Sequence, residues 1–449
     1  MGFRIGKNSG TDLICMTNRL GRGHFAHCPQ IIMIAAILVL VLRGAATASG
    51  LLLYETGAPD LGTASAGRAA MAADASTVAA NPAGMTSLDR SQLLVAAGAL
   101  LPVTNFGVGS QTTTKGSGGG NAGVFFPLGS FFYVYKLSER LRLGMGSYSD
   151  FGLSADYGNN WVGRYYVTQE SLITSKINPS IAYALNEWVS VGAGFSFAVA
   201  RLTFQSKVNN VLSRAGDGGF SLESWDEAFG GNAGILLTPR PLPELRVGLT
   251  YDSPEYFKFG FQPFLTNLGP ALSGISKRIG GTQIEIPMEE PQQVMMSAVY
   301  KVLPNFSLMG NVGWQNWSAF GEFPVGISSP KQATTVDANL HFSDTCQIAI
   351  GEQYRFAEKW LWSAGFAYDS SPVSEANRSV TLPIDRQLRY GTGIQYEISR
   401  NITAGAAWEF LDAGNAPLNN HRGPLAGTLQ GDYTANYLNF VAANLAWRF

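Results

Sequence analysis

Apolar residues alternate with small or polar residues along most of the chain, in segments of roughly ten residues that are separated by turns. In the last segment, Leu445, Trp447 and Phe449 share one face, whereas Asn444 and Arg448 share the other. Successive side chains of a strand point to opposite faces of a sheet, so this period of two predicts β-strands. One face of each strand carries apolar residues, with aromatic residues near its ends, and the other face carries small residues.

Fourteen such segments follow one another along the chain. They lie near 91–104, 122–136, 140–150, 165–185, 188–202, 229–238, 245–258, 291–302, 306–317, 345–355, 359–369, 387–397, 401–411 and 434–449. Short turns alternate with long links near 105–121, 203–228, 259–290, 370–386 and 412–433. An even strand number and this alternation of connections are typical of bacterial transmembrane barrels. A soluble β-sandwich would also alternate, but its second face would carry more charge.

The pattern therefore predicts an all-β fold, a transmembrane 14-stranded antiparallel β-barrel over residues 91–449. Residues 49–90 lack the alternation, are rich in small residues and are too poor in large apolar ones for a core of their own. We expect this segment to be an N-terminal hatch, a plug inside the lumen of the barrel.

The first 48 residues have the pattern of a secretory signal peptide. A run of 12 apolar residues, Ile31–Leu42, is followed by Arg43 and by the small residues Ala46-Thr47-Ala48. A helix that spans a membrane needs about 20 such residues, so an anchor that stays in place is disfavoured. We expect cleavage after residue 48 and a location in the outer membrane of a Gram-negative cell.

Composition supports an apolar solvent and excludes several classes of function. Charged residues make up 14% of the chain, against about 25% in ordinary soluble domains. Removal of the five basic residues and one acidic residue of 1–48 takes the formal charge from −1 to −5, which argues against a nucleic-acid partner. Cys346 is then the remaining cysteine, so neither a disulfide within one chain nor a multi-cysteine metal site is expected.

The sequence offers no motif for catalysis, for a metal or for a cofactor. His341 and His421 are the histidines that follow residue 48, and neither lies in a recognisable Ser or Asp constellation. An outer-membrane lipase or protease would need such a base. A water-filled porin is a further alternative, but open porins usually have about 16–18 strands and no plug. We therefore expect a protein that is not an enzyme.

Three series of residues resemble the long-chain fatty-acid transporter family of the outer membrane (the FadL type), over nearly all of 50–449. The first series is Asn81-Pro82-Ala83 at the end of the hatch, and the second is Ser149-Asp150-Phe151-Gly152-Leu153, followed by Gly163. The third runs from Phe366 to Val373, continues at Asn377-Arg378 and ends with Pro383-Ile384-Asp385-Arg386. The order and length of the whole composite make chance agreement improbable.

The resemblance implies a monomeric barrel that takes up hydrophobic compounds. Ligand would enter from an apolar groove between outer loops, bind inside and leave sideways through a gap made by an inward kink of the third strand. The kink maps onto Asp150-Phe151-Gly152-Leu153. Long-chain fatty acids are the expected cargo, and toluene-like aromatic hydrocarbons are the alternative, since the pocket residues cannot be read from sequence. Lateral release avoids forcing the cargo into water, which costs roughly 0.8 kcal/mol per CH₂.

Several residues are candidates for ligand binding. Phe261, Phe264 and Leu265 lie in an unusually apolar link, which either captures ligand or folds down to pack inside the lumen. The resemblance implies that Leu51 and Leu53, at the start of the hatch, fill or gate the pocket, and plain packing is the alternative.

Two basic residues are candidate partners for a carboxylate head group. Arg389 shares a strand face with Gly391 and Gly393, so it is expected to point inward. Lys207 lies just past the predicted fifth strand, where the resemblance implies a head-group base. Arg201, at the outer end of that strand, is instead assigned to lipopolysaccharide phosphates. Other expected partners are outer-membrane lipid and the barrel-assembly machinery, which would recognise the strand that ends at Phe449.

Overall fold

The computed structural model describes residues 51, 52, 54, 56, 59–210, 216–274, 281–329, 332–381 and 383–449, with only the backbone of residues 51, 52 and 332. The predicted signal peptide and Leu53 lie outside the described residues. Among the described residues, no helix is long and apolar enough to cross a membrane.

Fourteen antiparallel strands form a closed barrel, as predicted. They are β1 Gln92–Val108, β2 Phe126–Lys136, β3 Leu141–Tyr148 with an upper part Phe151–Asp156, β4 Gln169–Ala184, β5 Val189–Val208, β6 Gly218–Leu237, β7 Leu245–Asp252, β8 Gln293–Leu303, β9 Phe306–Gln315, β10 Thr345–Ala357, β11 Trp360–Asp369, β12 Gln387–Glu397, β13 Ile402–Asp412 and β14 Thr428–Arg448. Each strand pairs with its sequence neighbours, and β1 also pairs with β14, which closes the barrel.

The outer wall of the barrel is apolar, as a surface that faces lipid requires. Phe195, Phe229 and Ile350 are all more than half exposed and stand on outward faces. Aromatic side chains such as Trp360 and Trp447 lie near the short-turn end of the wall. Both ends of the barrel sequence meet there, where the Phe449 amide donates to the Ser91 carbonyl.

Two predicted boundaries in the fifth and sixth strands are wrong. The link placed at 203–228 is mostly strand, because β5 continues to Val208 and β6 starts at Gly218. Beyond residue 202 the inward face stays apolar, but the outward face turns polar with Thr203 and Gln205. A polar outward face is typical of a strand end that meets water, so the apolar signal on that face ends before the strand does.

The long outer connections hold a second sheet that the sequence pattern did not reveal, here called the lid sheet. Its strands pair in the order Glu255–Phe261, Gln283–Glu290, Glu322–Ser329 and Gln332–Asn339. One face is apolar and buried, with side chains such as Phe257 and Phe259. This face belongs to a large apolar cluster that also contains residues from the upper barrel wall, so the loops cap the barrel.

The hatch consists of short helices that lie against the inner wall of the barrel. They span Pro59–Thr63, Arg68–Met71, Thr77–Ala80 and Pro82–Ser87. Inward-facing glycines bring the two backbones together: a Cβ added to Gly391 of β12 would lie 2.5 Å from the Leu61 carbonyl oxygen. Polar side chains of the wall satisfy hatch amides, since the Gly67 and Ala69 amides donate to Asn311 and Ser297. The face of small residues that the sequence shows is therefore the inner surface against which the hatch packs.

Two short helices lie in outer connections. They span Trp317–Phe320, between β9 and the lid sheet, and Gly423–Ala426, between β13 and β14. The remaining short strands are Leu51–Leu52, Phe264–Thr266 and Leu418–His421.

Candidate functional site

The third strand is interrupted by a bulge at the predicted kink. Tyr148 of β3 stands opposite Lys176 of β4, whereas Gly152 stands opposite Ile173. Three residues of β3 (149–151) thus face two residues of β4, which is the definition of a β-bulge and bends the strand. Gly152 admits the close approach of β4, because a Cβ there would lie 3.0 Å from the Leu172 carbonyl oxygen.

The bend separates the upper part of β3 from β2. The β2–β3 ladder covers only Phe131–Lys136 of β2, and residues 126–130 have no ladder partner in β3. The upper part of β3 pairs instead with the backbone of Leu51–Leu52. We call this separation the lateral gap.

An apolar cavity lies at the lateral gap, here called the gap cavity. About 70 Å³ of it is open to the centre of a water molecule, and about 800 Å³ is reached when all the space between its atoms and at its mouth is counted. Its lining consists of Leu100, Pro102, Thr104, Val124, Phe126, Ser149, Phe151, Gly152, Leu153, Ser154, Ala155, Leu172, Ile173, Pro383, Ile384, Ala413, Asn436 and Leu438. None of these described lining residues is charged, so the gap cavity suits an apolar molecule.

The four predicted kink residues have different surroundings. Phe151 is fully buried, with its ring 6.4 Å from that of Trp317 and 6.3 Å from that of Phe320 in an outer connection. Gly152 and Leu153 line the gap cavity. Asp150 lies in the bulge, and one of its carboxylate oxygens is 3.1 Å from Lys176 Nζ.

The Asn81-Pro82-Ala83 motif anchors the hatch. The Asn81 side-chain amide donates to the Ala69 carbonyl at 2.6 Å and to the Ile235 carbonyl of β6 at 3.1 Å. Its oxygen accepts from the Ala83 amide at 3.0 Å, which starts the helix at Pro82. These contacts join two hatch segments to the barrel wall.

Arg389 points into the lumen, but carboxylates already surround it. It is 2% exposed, and its guanidinium lies 3.2 Å from Asp369 and 3.5 Å from Glu409. It also donates to Gln387 at 2.9 Å and lies over the ring of Tyr54, with 5.4 Å between Arg389 Cζ and the ring centroid. These contacts tie the start of the hatch to β11, β12 and β13, and a ligand carboxylate would have to compete with them.

Lys207 and Arg201 stand on the same outward face of β5. Lys207 lies within β5 and not past its end, so its predicted position is wrong. The opposite face carries the buried residues Phe204 and Ser206, whereas Lys207 is partly exposed. Arg201 pairs with Glu223 at 2.7 Å, and both are solvent-accessible. The geometry does not bring Lys207 to the gap cavity.

The predicted apolar link divides into buried and exposed parts. Phe261 is buried on the inner face of the lid sheet. Phe264 is 64% exposed, and Leu265 is partly buried. Phe264 belongs to the short strand that pairs with the upper end of β6, so it presents an aromatic ring outside the barrel wall. Phe261 thus packs inward, and ligand capture by the exposed Phe264 stays a prediction.

Two features of the site were missed. Lys176 is a buried cation beside the kink; its signal is the polar series Thr174, Lys176 and Asn178 on one face of β4. A second cavity, in which about 200 Å³ is open to the centre of a water molecule, lies at the short-turn end of the lumen; most of its lining is charged or polar, and Leu361 and Ala446 are among its few apolar residues.

Comparison with known proteins identifies the architecture. The family described as "Outer membrane protein transport protein (OMPP1/FadL/TodX)" matches residues 39–449. The long-chain fatty acid transport protein of Escherichia coli O6:H1 is 24% identical over 441 residues, which cover 92% of this chain and 96% of the relative. Outer membrane protein P1 of Haemophilus influenzae is 24% identical over 457 residues, covering 91% and 96%.

Solved structures share the fold. A FadL homologue of Pseudomonas aeruginosa has a TM-score of 0.79 at 18% identity, covering 89% of this chain and all of that one. The toluene transporter TodX of Pseudomonas putida has a TM-score of 0.64 at 13% identity, covering 89% and 99%. The family match confirms the outer-membrane location and a transport protein in place of an enzyme.

Proposed function

We propose that this chain, which belongs to the outer membrane protein transport family described as OMPP1/FadL/TodX, takes up hydrophobic small molecules across the outer membrane. A molecule is captured at the extracellular end, binds in the gap cavity and leaves sideways into the lipid between β2 and β3. The observation that carries the proposal is the position of the gap cavity, at the point where β3 leaves β2.

Lateral release follows from the physical chemistry of the cargo. An apolar molecule in the gap cavity contacts Phe126 of β2 on one side and Leu153 of β3 on the other. Moving from there into the lipid keeps it out of water, whereas an axial path would expose it. Exposure costs about 0.8 kcal/mol per CH₂, so a chain of ten such groups would lose about 8 kcal/mol.

Long-chain fatty acids are the cargo that we propose first. Support comes from relatives that carry this name and align over nine-tenths of the chain. Arg389 is the predicted head-group partner that points into the lumen, although it is held by Asp369 and Glu409. A fatty acid would therefore bind with its chain in the gap cavity, and its carboxylate would have to compete with Asp369 and Glu409 for Arg389.

Uncharged aromatic hydrocarbons are the second candidate cargo. The observation in their favour is the lining of the gap cavity, in which no described side chain carries a charge. A molecule without a charged head group needs no basic partner, so its binding would not depend on Arg389, which is already paired with Asp369 and Glu409.

Capture and gating complete the proposal. The exposed ring of Phe264 offers an apolar contact above the membrane, where a hydrophobic molecule would first meet the protein. Leu51 and Leu52 pair with the upper part of β3, so the start of the hatch lies beside the gap cavity. We further propose that the protein works as a monomer, with lipopolysaccharide and outer-membrane lipid around its wall.

Binding of a fluorescent long-chain fatty acid to the detergent-purified protein tests the function. Displacement by oleate supports fatty-acid uptake, and displacement mainly by toluene moves the cargo to hydrocarbons. Saturable binding displaced by neither compound, or no binding at all, contradicts the proposed cargo.

A matched pair of variants tests the place of binding. Ala413→Trp fills the gap cavity, whereas Ala443→Trp makes the same change on the exposed outer face of β14. We expect the first to weaken binding by about tenfold or more, the equivalent of about 1.4 kcal/mol of lost contacts, and the second to leave binding unchanged. Equal affinities for the two variants would place the cargo elsewhere.

A further inference from the structure

The lid sheet joins the barrel through two short connections, here called the hinge. The β7–β8 ladder ends at Asp252, and the ladder of the first two lid strands starts at the pair Glu255 and Glu290. One proline stands in each connection, Pro254 and Pro291. Proline has no N–H to donate to a ladder, so the barrel sheet and the lid sheet are separated at this point.

Two carboxylates face each other at this hinge. Glu255 and Glu290 are direct partners in the lid ladder, and both side chains are buried. Like charges in directly opposed positions of a sheet repel each other. Ser196 of β5 donates to Glu255 at 2.6 Å, which satisfies one oxygen but supplies no positive charge. A buried cation at the hinge would offset this repulsion.

Lys176 of β4 supplies that cation and also binds the kink. Its Nζ lies 2.6 Å from Glu290, 3.2 Å from Glu255 and 3.1 Å from Asp150 in the bulge of β3. The lysine side chain is 6% exposed and those of the two glutamates 3% and 6%. One ammonium group is thus shared between the hinge of the lid and the strand that forms the lateral gap.

We propose that Lys176 is a positioning residue that couples the lid sheet to the lateral gap. Movement of the lid at the hinge changes how strongly Lys176 is held by Glu255 and Glu290, and so how strongly it holds Asp150 and the kink. The inference deepens the proposed function, on which its biological meaning rests: a molecule that enters under the lid would thereby act on its own exit.

The coupling is tested by hydrogen–deuterium exchange of the whole protein in detergent, without any cargo. Lys176→Met removes the charge but keeps a chain of similar length. We expect exchange to rise by about tenfold or more in both Phe151–Asp156 and Glu255–Phe261, because buried carboxylates are left without their cation. Exchange in the remote strand β11 should not change. Lys176→Arg keeps the charge and should restore most of the protection in both segments.

A lid-side variant separates coupling from plain loss of stability. Glu290→Gln leaves Lys176 shared between two carboxylates in place of three, so we expect slower exchange in Phe151–Asp156 and faster exchange in the lid strand. Unchanged exchange of the kink in this variant overturns the coupling. A rise confined to one segment in Lys176→Met overturns it as well.

A further variant covers the case in which Lys176→Met does not fold. Asp150→Asn removes only the carboxylate of the kink, so exchange should rise in Phe151–Asp156 while the lid strand stays protected. Unchanged exchange of the kink would overturn the role of Lys176 there. Because these experiments use no cargo, a failure of the proposed function appears separately, as wild-type protein that binds neither oleate nor toluene.

Discussion

The close contact between the hatch and the inner wall of the barrel gives a prediction, and the magnitude of the expected effect follows from the structure. In Gly391→Ala, the added Cβ would lie 2.5 Å from the Leu61 carbonyl oxygen and 2.6 Å from the Ala64 amide nitrogen. Ordinary contacts begin at 3.4 Å, so the hatch backbone must retreat by about 0.9 Å. Both obstacles are backbone atoms, and rotation of a side chain cannot relieve the clash.

The expected loss of hatch stability in Gly391→Ala can be stated as a range. Overpacking of this kind costs about 1–3 kcal/mol, and such a cost corresponds to about a 5- to 150-fold change in a local opening equilibrium. Exchange of the hatch amides between 59 and 87 should rise by that factor in Gly391→Ala, and ion currents in planar bilayers should become more frequent as the hatch loosens.

A matched control exists in the barrel wall. A Cβ added to Gly129 of β2 meets nothing within 4 Å, so Gly129→Ala should leave hatch exchange and conductance unchanged. Wild-type exchange of the hatch in a folded Gly391→Ala protein would refute the reasoning that the inward glycines hold the hatch in place.

Three further predictions concern other parts of the account. Arg389→Met should lower the free energy of unfolding, measured by denaturant titration, by about 3–5 kcal/mol, because Asp369 and Glu409 lose their cation inside the barrel. A loss of fatty-acid binding with unchanged stability would instead assign Arg389 to the ligand. Phe264→Ser should slow the association of a fluorescent fatty acid in stopped flow and leave dissociation unchanged, since the exposed ring acts before the cavity is reached; an unchanged association rate counts against capture at this site. Asn81→Ala should raise hydrogen–deuterium exchange of the hatch amides by about 5- to 150-fold. The substitution leaves buried backbone groups without partners, which costs about 1–3 kcal/mol. Protection at the wild-type level would show that the motif is dispensable for anchoring.

The barrel could be predicted because its signal is local. Each strand carries its own alternation, and the predicted bounds of β11 and β12 lie within one residue of the observed ones, whereas β14 starts six residues before its predicted start. The kink had a local signal as well, in the series that contains Gly152. Both predictions needed only the residues of one segment and the chemistry of a wall between lipid and lumen.

The lid sheet and the ion pairs of Arg389 and Lys176 could not be predicted, because they depend on pairing between separate segments of the chain. The alternation of Phe257, Phe259 and Phe261 was divided between a barrel strand and an apolar link, since nothing in the segment tells which sheet it joins. Arg389 was expected to point inward, and it does, but its partners Asp369 and Glu409 lie on neighbouring strands. Their proximity depends on strand register, which alternation alone does not give.

Photolabelling with a diazirine-bearing long-chain fatty acid tests whether cargo leaves through the lateral gap. After irradiation in outer-membrane vesicles, mass spectrometry would locate the labelled residues. We expect labels in the gap cavity, on Leu100, Phe126 and Leu153, and their loss in Ala413→Trp. Labels concentrated on Leu361 and Ala446, in the cavity at the short-turn end, would show an axial path and contradict lateral release.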